Sequence, residues 1–392
     1  MFCKTNGMRN LIVCLIGWMV AASACGQKNY DDAEVEAFAA IVAQHDVVVV
    51  DVRTPAEFAE GHILNAVNID VRQDGFMEKA RVLLPRELRL AIYCRSGRRS
   101  AEAAAMLADA GYRVVNLSGG ITAWTDAGNA VSLDNHEIDV FVTKGGRMVR
   151  MHTLMHASIR MEYDGREIAV DPVRKLGDRT VDYSALPKAD YIFVTHEHFD
   201  HFDKGAISLL TDDHTRLITN SRCAGMLELP DGQCRRHREQ LASGRATARA
   251  GKKELRERSG KCEVTVMANG DTVRLADDIS VEAVAAYNIT DGHQQFHPKG
   301  RDNGYILTLD GLRIYIAGDT EDIPEMEDLG QIDIAFLPCN QPYTMTPAQI
   351  VKAAKTVKPR VLFPYHFGQT DMGNIPTELK DHGIEVRIRH YE

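Results

Sequence analysis

The chain reads as α/β in two successive parts, and three observations carry this reading. Residues 31 to about 130 alternate apolar strand runs with helical segments. From Met148 onward the pattern becomes richer in strands, with recurring helices. Between them, residues 131–147 are polar and lack clear periodicity, which marks a linker. Strands alternating with helices imply a parallel sheet covered on both faces. At 392 residues the chain is long enough for two domains. An apolar share of 44% and a charged share of 26% are those of a globular protein. The formal net charge of -9 gives no electrostatic footprint for nucleic acid.

The first 25 residues stand outside the fold. Lys4 and Arg9 make a basic start, and Leu11 to Val20 is an apolar core too short for a confident membrane span. Small residues at Ala21 to Ala24 precede Cys25, so the segment reads as an export signal. The arrangement resembles the bacterial lipobox, which implies lipidation at Cys25. Ala22 stands where leucine is commoner. Gly26 after the cysteine implies the periplasmic face of an outer membrane, with the lipid as the only membrane attachment. Export implies an oxidising compartment. Of the eight cysteines, Cys223, Cys234 and Cys262 share one polar region and could hold one disulfide, whose pairing the spacing leaves open.

In the first part, Val47 to Val50 reads as a buried strand, Leu90 to Tyr93 as a second and Arg113 to Leu117 as a third. Ser100 to Ala110 reads as a helix with Ser100 as N-cap and Gly111 as its stop. Cys94-Arg95-Ser96-Gly97-Arg98-Arg99-Ser100 therefore links a strand end to a helix start. Unpaired N–H groups at a helix N-terminus favour negative charge, and Arg95, Arg98 and Arg99 add to the effect. A thiolate, the nucleophilic form of cysteine, is stabilised there. Gly97 permits the tight turn that aims successive N–H groups inward.

The flanking residues sharpen this reading. Asp51-Val52-Arg53-Thr54-Pro55-Ala56-Glu57-Phe58, then Gly61-His62-Ile63, then Leu117-Ser118-Gly119-Gly120-Ile121-Thr122-Ala123-Trp124 follow in order. Together with the cysteine loop they resemble the rhodanese family over nearly all of residues 31–130. The resemblance implies a sulfurtransferase. Cys94 would take sulfane sulfur from a donor such as thiosulfate, hold it as a persulfide and pass it to a thiol or cyanide. The backbone of Arg95, Ser96, Gly97 and onward to Ser100 would stabilise the persulfide, and Arg98 or Arg99 would attract the anionic donor. Asp51 and Arg53 fit a structural ion pair. The loop length matches the sulfur-transferring members; phosphatase relatives carry one more residue.

In the second part, Met161 to Val170 reads as a hairpin around an Asp164-Gly165 turn. Further strands are expected at Val264 to Met267, Ile279 to Ala285, Tyr305 to Leu309 and Leu312 to Ile316, and a helix at Pro347 to Thr356. A basic, weakly apolar insertion at about 222–262 reads as a solvated helical excursion.

The densest signal is Thr195-His196-Glu197-His198-Phe199-Asp200-His201, directly after the apolar run Tyr191 to Val194. Imidazole nitrogen and carboxylate oxygen are ligands that zinc, iron and manganese accept. So many polar groups beside a core strand are costly to bury without a partner, and a metal satisfies them. Two later strand ends supply more: Ile316-Ala317-Gly318-Asp319-Thr320 and Tyr365-His366-Phe367-Gly368.

His196, His198, Asp200 and His201, with Asp319 and His366, resemble the H-x-H-x-D-H pattern of the metallo-β-lactamase fold, an αββα sandwich. Upstream, His156-Ala157-Ser158 and Asp171-Pro172 also fit. The resemblance covers residues 148–392 apart from the insertion and is closest to the branch of sugar-phosphate lactonases and phospholipase D-like hydrolases. It implies two metals, expected as zinc, with iron or manganese as alternatives. His196 and His198 would belong to one, Asp200, His201 and His366 to the other, and Asp319 would bridge. For His156 the expected role is structural hydrogen bonding. Where the branch often has histidine, this chain has Asn288; His293 and His297 lie nearby, and His297 is the favoured substitute. A metal pair of this kind lowers the pKa of water, so a nucleophile exists near neutral pH. Asp200 is the candidate to orient that water or take its proton. Asn340 and Tyr343 are candidates to hydrogen-bond an oxyanion, with a polar turn as the alternative.

The leading expectation is an exported bifunctional enzyme. It would transfer sulfane sulfur and hydrolyse an ester, lactone, thioester or phosphodiester, acting on small molecules. A second reading is iron-dependent persulfide oxidation. Persulfide dioxygenases share the fold and sometimes carry a rhodanese domain, but in reversed order and from a different branch. A third is a lipid-anchored, non-catalytic protein that binds metal or sulfur.

Overall fold

The computed structural model describes residues 28–134, 136–227, 234–237 and 262–391. The leader with Cys25, most of the insertion and the side chain of Cys234 lie outside the described residues. Among the described residues, no helix is long and apolar enough to cross a membrane.

The first domain is a five-stranded sheet in the order Asp31–Ala33, Arg113–Leu117, Arg89–Tyr93, Val47–Asp51, Ala66–Asn68, with every neighbouring pair parallel. Val47 to Val50 are all buried because alternate residues enter different cores. Val48 and Val50 pack with Phe76, Ala80, Ala104 and Leu107. Val47 and Val49 pack with Phe38, Ile121 and Trp124 on the other face. Helices on both faces are what a parallel sheet of this kind requires.

The helix after Cys94 runs from Arg98 to Asp109, with Gly97 at its N-cap and φ 87°. This corrects the expectation of a Ser100 cap. Ser100 lies inside the first turn, and its hydroxyl reaches back to the loop.

The second domain is built on two packed sheets. The first runs Cys234–His237, Cys262–Val266, Arg216–Thr219, Tyr191–Val194, Arg166–Val170, Ser158–Tyr163, Met148–Met155, Ile138–Val142. The second runs Thr272–Ala276, Ile279–Ala286, Asp302–Leu309, Leu312–Ile316, Ile334–Pro338, Val361–Tyr365, Glu385–Val386. Their inner faces share a core that includes Met151, Ile159, Met161, Val281, Leu307, Ile314, Phe336 and Phe363. Helices Lys204–Leu210 and Ser221–Met226 cover the outer face of one sheet. Helices Pro347–Val357 and Ile375–Leu379 cover the other. The result is the expected αββα sandwich. Asp164 and Gly165, both at positive φ, make the expected hairpin turn.

Two boundaries move. The segment read as a linker contains strand Ile138–Val142, which pairs with Met148–Met155 at the sheet edge. The second domain therefore begins there. Asp139 disguises the strand: it is a buried charge, 1% exposed, amid apolar neighbours. Arg387 Nη1 and Arg389 Nη2 each donate to its Oδ1 at 2.7 Å, which satisfies it. The insertion also begins later and ends earlier than expected, because Ser221–Met226 is helix and Cys262–Val266 is core strand.

The two domains touch closely. Val140 and Met148 join the first domain's core, Arg150 Nη2 donates to Val47 O at 3.2 Å and Arg387 Nη2 donates to Val82 O at 3.0 Å. The Val47 contact lies at the amino end of its strand, whereas Cys94 follows the carboxyl end of Arg89–Tyr93.

Candidate thiol loop and metal centre

The Cys94 loop is held by its own backbone. Cys94 is buried, and its Sγ accepts from Gly97 N at 3.2 Å and from Ser100 Oγ at 3.4 Å. Burial opposes ionisation of the thiol, but the Ser100 hydroxyl and the N–H groups of Ser100, Ser96 and Gly97 together bring its pKa below the usual thiol value. Gly120 shows why two glycines stand downstream. Ile121 N donates to Cys94 O at 2.8 Å, and a Cβ on Gly120 would collide with that carbonyl.

The arginines divide. Arg99 forms a two-point ion pair with Glu57, at 2.8 Å to Oε2 and 2.6 Å to Oε1. Glu57 is pushed down to about 2 by Arg99, against burial and with help from Thr54, whose N–H and hydroxyl both donate to it. Arg95, Ser96 and Arg98 are exposed at the rim. Arg99 is therefore committed to a carboxylate beside the thiol, and Arg95 and Arg98 are the arginines left facing solvent. Asp51 and Arg53 form the expected buried pair at 2.7 Å, and Arg53 also donates to Gly61 O.

In the second domain, strand ends bring eight candidate ligands together as two groups. One is His156, Asp200, His201 and His366; the other is His196, His198, His297 and Asp319. Within each group the ligand atoms lie within 4.8 Å of one another. Asp319 stands between the groups: its carboxylate lies 3.3 Å from His201 Nε2, 3.3 Å from His366 Nε2, 3.4 Å from His297 Nε2 and 3.8 Å from His196 Nε2. Every residue expected as a metal ligand lies in this cluster, with Asp319 grouped with His196, His198 and His297 and within 3.3 Å of His201 and His366 of the other group.

Four positions needed the structure. His156, expected as a structural hydrogen-bonding residue, pairs through its Nε2 with Asp200 Oδ2 at 3.2 Å and also falls in the first candidate group. His297 joins the second group, and Asp302 Oδ2 fixes its other ring nitrogen at 3.0 Å. His293 does not join, since its Nδ1 faces Glu321 Oε1 at 3.1 Å. Asn288 does not join either. Its amide donates to Tyr343 O at 2.7 Å and to His293 O at 3.3 Å, tying the loop beside His297 to the loop carrying Tyr343. Tyr343 packs its ring against Phe296, with centroids 5.0 Å apart. Asn340 closes a turn, its carbonyl accepting from the N–H groups of Tyr343 and Thr344.

The donor set fits a cation. His196 Nε2, His201 Nε2, His297 Nε2, His366 Nε2 and Asp319 Oδ1 are buried with no hydrogen-bond partner among the described residues. Native interiors rarely leave so many polar atoms unsatisfied in one place. Burial pushes His196 well below the usual imidazole value, with His201 adding to the effect, so its neutral, ligating form is favoured. Burial opposes ionisation of Asp319 as well, but the surrounding histidines, His366 first, hold it well below the usual carboxylate range. His201 is the exception. Burial disfavours its charge, yet Asp319, Asp200 and Asp171 raise it well above the usual value. Asp171 Oδ2 also holds His201 Nδ1 at 2.8 Å and accepts from the Thr195 hydroxyl at 2.7 Å, the outer support that metal-binding histidines commonly have. His156, Asp171 and His366 all sit at positive φ. For residues other than glycine that strain costs about 1–3 kcal/mol each and collects at functional sites.

Cys223 is a buried free thiol, pushed up to about 12 by burial, which marks it as inert.

Comparison with known proteins agrees with both halves. Residues 34–127 match the family described as rhodanese-like domain, and residues 150–366 match that described as beta-lactamase superfamily domain. A UPF0173 metal-dependent hydrolase from Caldivirga maquilingensis is 27% identical over 55% of this chain and 80% of its own length. One from Anaeromyxobacter dehalogenans (strain 2CP-C) is 30% identical over 50% of this chain, which spans 65% of that relative. The solved structure of a putative metal-dependent hydrolase from Parabacteroides distasonis covers 66% of this chain and 100% of its own, at 43% identity and a TM-score of 0.55. With its metal-ligand geometry and a match spanning more than half its length, the chain belongs to the beta-lactamase superfamily and carries a rhodanese-like domain ahead of that fold.

Proposed function

We propose that this protein is a two-site enzyme: a dinuclear metal hydrolase of ester, lactone, thioester or phosphodiester bonds, joined to a sulfurtransferase acting through Cys94. The observation that carries the hydrolase is the set of buried, partnerless imidazole nitrogens converging on Asp319. The hydrolase names of the relatives support it.

The ligand set suits zinc, and two bound ions would polarise the bond under attack and acidify water. The chain's own residues do the rest. Asp171 and Asp302 fix the tautomers and angles of His201 and His297. Asp200, whose Oδ2 lies 3.2 Å from His156 Nε2 and 3.5 Å from His366 Nε2, is the group proposed to orient the attacking water or accept its proton.

In the first domain the Cys94 thiolate would attack the outer sulfur of thiosulfate. An S–S bond forms to Cys94, the original S–S bond breaks, and sulfite leaves with its electron pair. Cyanide or a thiolate then takes the outer sulfur and returns the Cys94 thiolate. Gly97 N and Ser100 Oγ hold the negative charge in both resting and returning states. Arg95 and Arg98 are the groups proposed to draw in the dianionic donor. The basic, apolar and small-residue succession of residues 1–25 supports export and lipid anchoring at Cys25.

The test measures metal content together with esterase, lactonase and phosphodiesterase turnover, alongside thiosulfate:cyanide transfer. Asp200→Asn is expected to abolish hydrolysis and spare transfer, and Cys94→Ser to do the reverse. One iron per chain with oxygen uptake on a glutathione persulfide would overturn the hydrolase in favour of sulfur oxidation.

A further inference from the structure

The candidate ligands are not equally anchored. His156, His196 to His201, Asp319 and His366 all follow closely on core strands. His297 does not. It lies within residues 287–301, an excursion without helix or strand between Ile279–Ala286 and Asp302–Leu309. Loops place a side chain less sharply than strands do, so His297 needs fastening from elsewhere.

Arg301 supplies it. Its Nε donates to Asp302 Oδ1 at 2.7 Å and its Nη2 to Asp302 Oδ2 at 2.9 Å. The same Nη2 donates to Phe296 O at 2.6 Å. Asp302 is fully buried, and its Oδ2 meets His297 Nδ1 at 3.0 Å. One planar guanidinium thus joins the residue before His297 to the carboxylate behind its imidazole. Such a fork fixes direction as well as distance.

Arg301 also faces the turn that carries the other histidines of this group. Its Nε lies 3.8 Å from Oε1 of Glu197, the residue between His196 and His198, which Arg222 Nε meets at 2.6 Å. Across this link the His297 ring stands 5.0 Å from that of His196 and 4.8 Å from that of His198. His201, in the other group, has a different support. Asp171 follows strand Arg166–Val170, which pairs with Tyr191–Val194, and takes its further hydrogen bonds from Thr195 N and Oγ1. Two paired strands already hold that carboxylate in register with its histidine. A buried ion pair contributes little to stability by itself; what the arginine contributes is placement.

We propose that Arg301 is a positioning residue of the metal centre. By gripping Asp302 and Phe296 O, it holds the His297 imidazole against the His196–His198 turn. It thereby sets the affinity of the ion bound by His196, His198, His297 and Asp319 without touching that ion. The proposal rests on the two-ion reading of the cluster.

The experiment titrates zinc into the metal-free full chain against a chromogenic chelator. The parent is compared with Arg301→Gln, Arg301→Lys, His297→Ala and the double variant Arg301→Gln/His297→Ala. In Arg301→Gln one of two zinc ions is expected to bind about 10–100-fold more weakly, with the other unchanged. Arg301→Lys keeps the charge but loses the fork, so it recovers only part of that loss. His297→Ala weakens the same ion. Adding Arg301→Gln to it costs nothing further, because the arginine then has no imidazole to place. Unchanged affinity in Arg301→Gln, equal weakening of both ions, full recovery by lysine, or losses that add in the double variant overturn the proposal. Should Arg301→Gln fail to fold by circular dichroism, Arg301→Lys carries the same comparison. If the parent holds fewer than two ions, the two-ion reading has failed separately. A single ion weakened by Arg301→Gln then keeps the proposal, and an indifferent or absent one removes it.

Discussion

The Cys94 loop and the histidine–aspartate cluster both sit at carboxyl ends of strands, yet they are built in opposite ways. The loop is one contiguous heptapeptide. Its donors already face the sulfur, Arg99 is already paired with Glu57, and the thiol has its hydrogen bonds without any ligand. The cluster draws on residues from 156 to 366, and six of its buried polar atoms find no hydrogen-bond partner among the described residues. A contiguous site can be finished by local backbone geometry. A dispersed one accumulates like-natured groups that only a cation reconciles, so its stability and its activity both depend on an added partner.

This contrast can be broken in graded ways. Cys94→Ser should abolish thiosulfate:cyanide transfer outright and leave metal content untouched; retained transfer would remove Cys94 from the reaction. Asp319→Asn, which touches both ligand groups, should lower hydrolytic turnover on the order of a thousandfold and reduce metal per chain by elemental analysis, with sulfur transfer intact. Asp171→Ala removes the outer support of His201 together with two hydrogen bonds from Thr195 and should weaken metal affinity about 10–100-fold in a competition titration against a chromogenic chelator. Unchanged affinity would mean that Asp171 serves Thr195 alone.

The smallest effect tests the loop. Glu57 has an ordinary value of 4.5 and is held at about 2 in the fold. A depressed carboxylate stabilises above its unfolded pKa and loses that contribution as pH falls toward its folded one. The stability advantage of the parent over Glu57→Gln should therefore be full above pH 4.5 and fade toward pH 2. Because the pair is partly exposed, about 1 kcal/mol is expected, read from denaturant midpoints. A difference that does not change with pH would show that the ion pair contributes nothing.

Legibility in the sequence followed the same division. The thiol loop was readable nearly whole because its parts are neighbours; the cap alone was misplaced, since Ser100 serves the sulfur rather than the helix end. In the cluster, the residues at strand ends were readable from the apolar runs before them. His156 was noticed but not as a ligand, because it occupies a left-handed turn between two strands, far in sequence from the other candidates. Ile138–Val142 was hidden by Asp139, whose neutralising arginines lie at the other end of the domain. Sequence patterns report what neighbours share, and a buried charge is explained only by a distant partner.

The His156 turn has a further consequence. Its N–H donates to Tyr391 O at 3.0 Å, and its carbonyl accepts from His366 N at 3.3 Å. During synthesis the amino-terminal domain emerges and folds first. The thiol loop has all its partners once the Gly119–Gly120 turn is out, but the His156 turn waits for residues 366 and 391. A growing chain thus carries a complete thiol loop before it carries a closed metal pocket. Metal capture becomes one of the last events of folding, and any ion held earlier has an incomplete cage from which to escape.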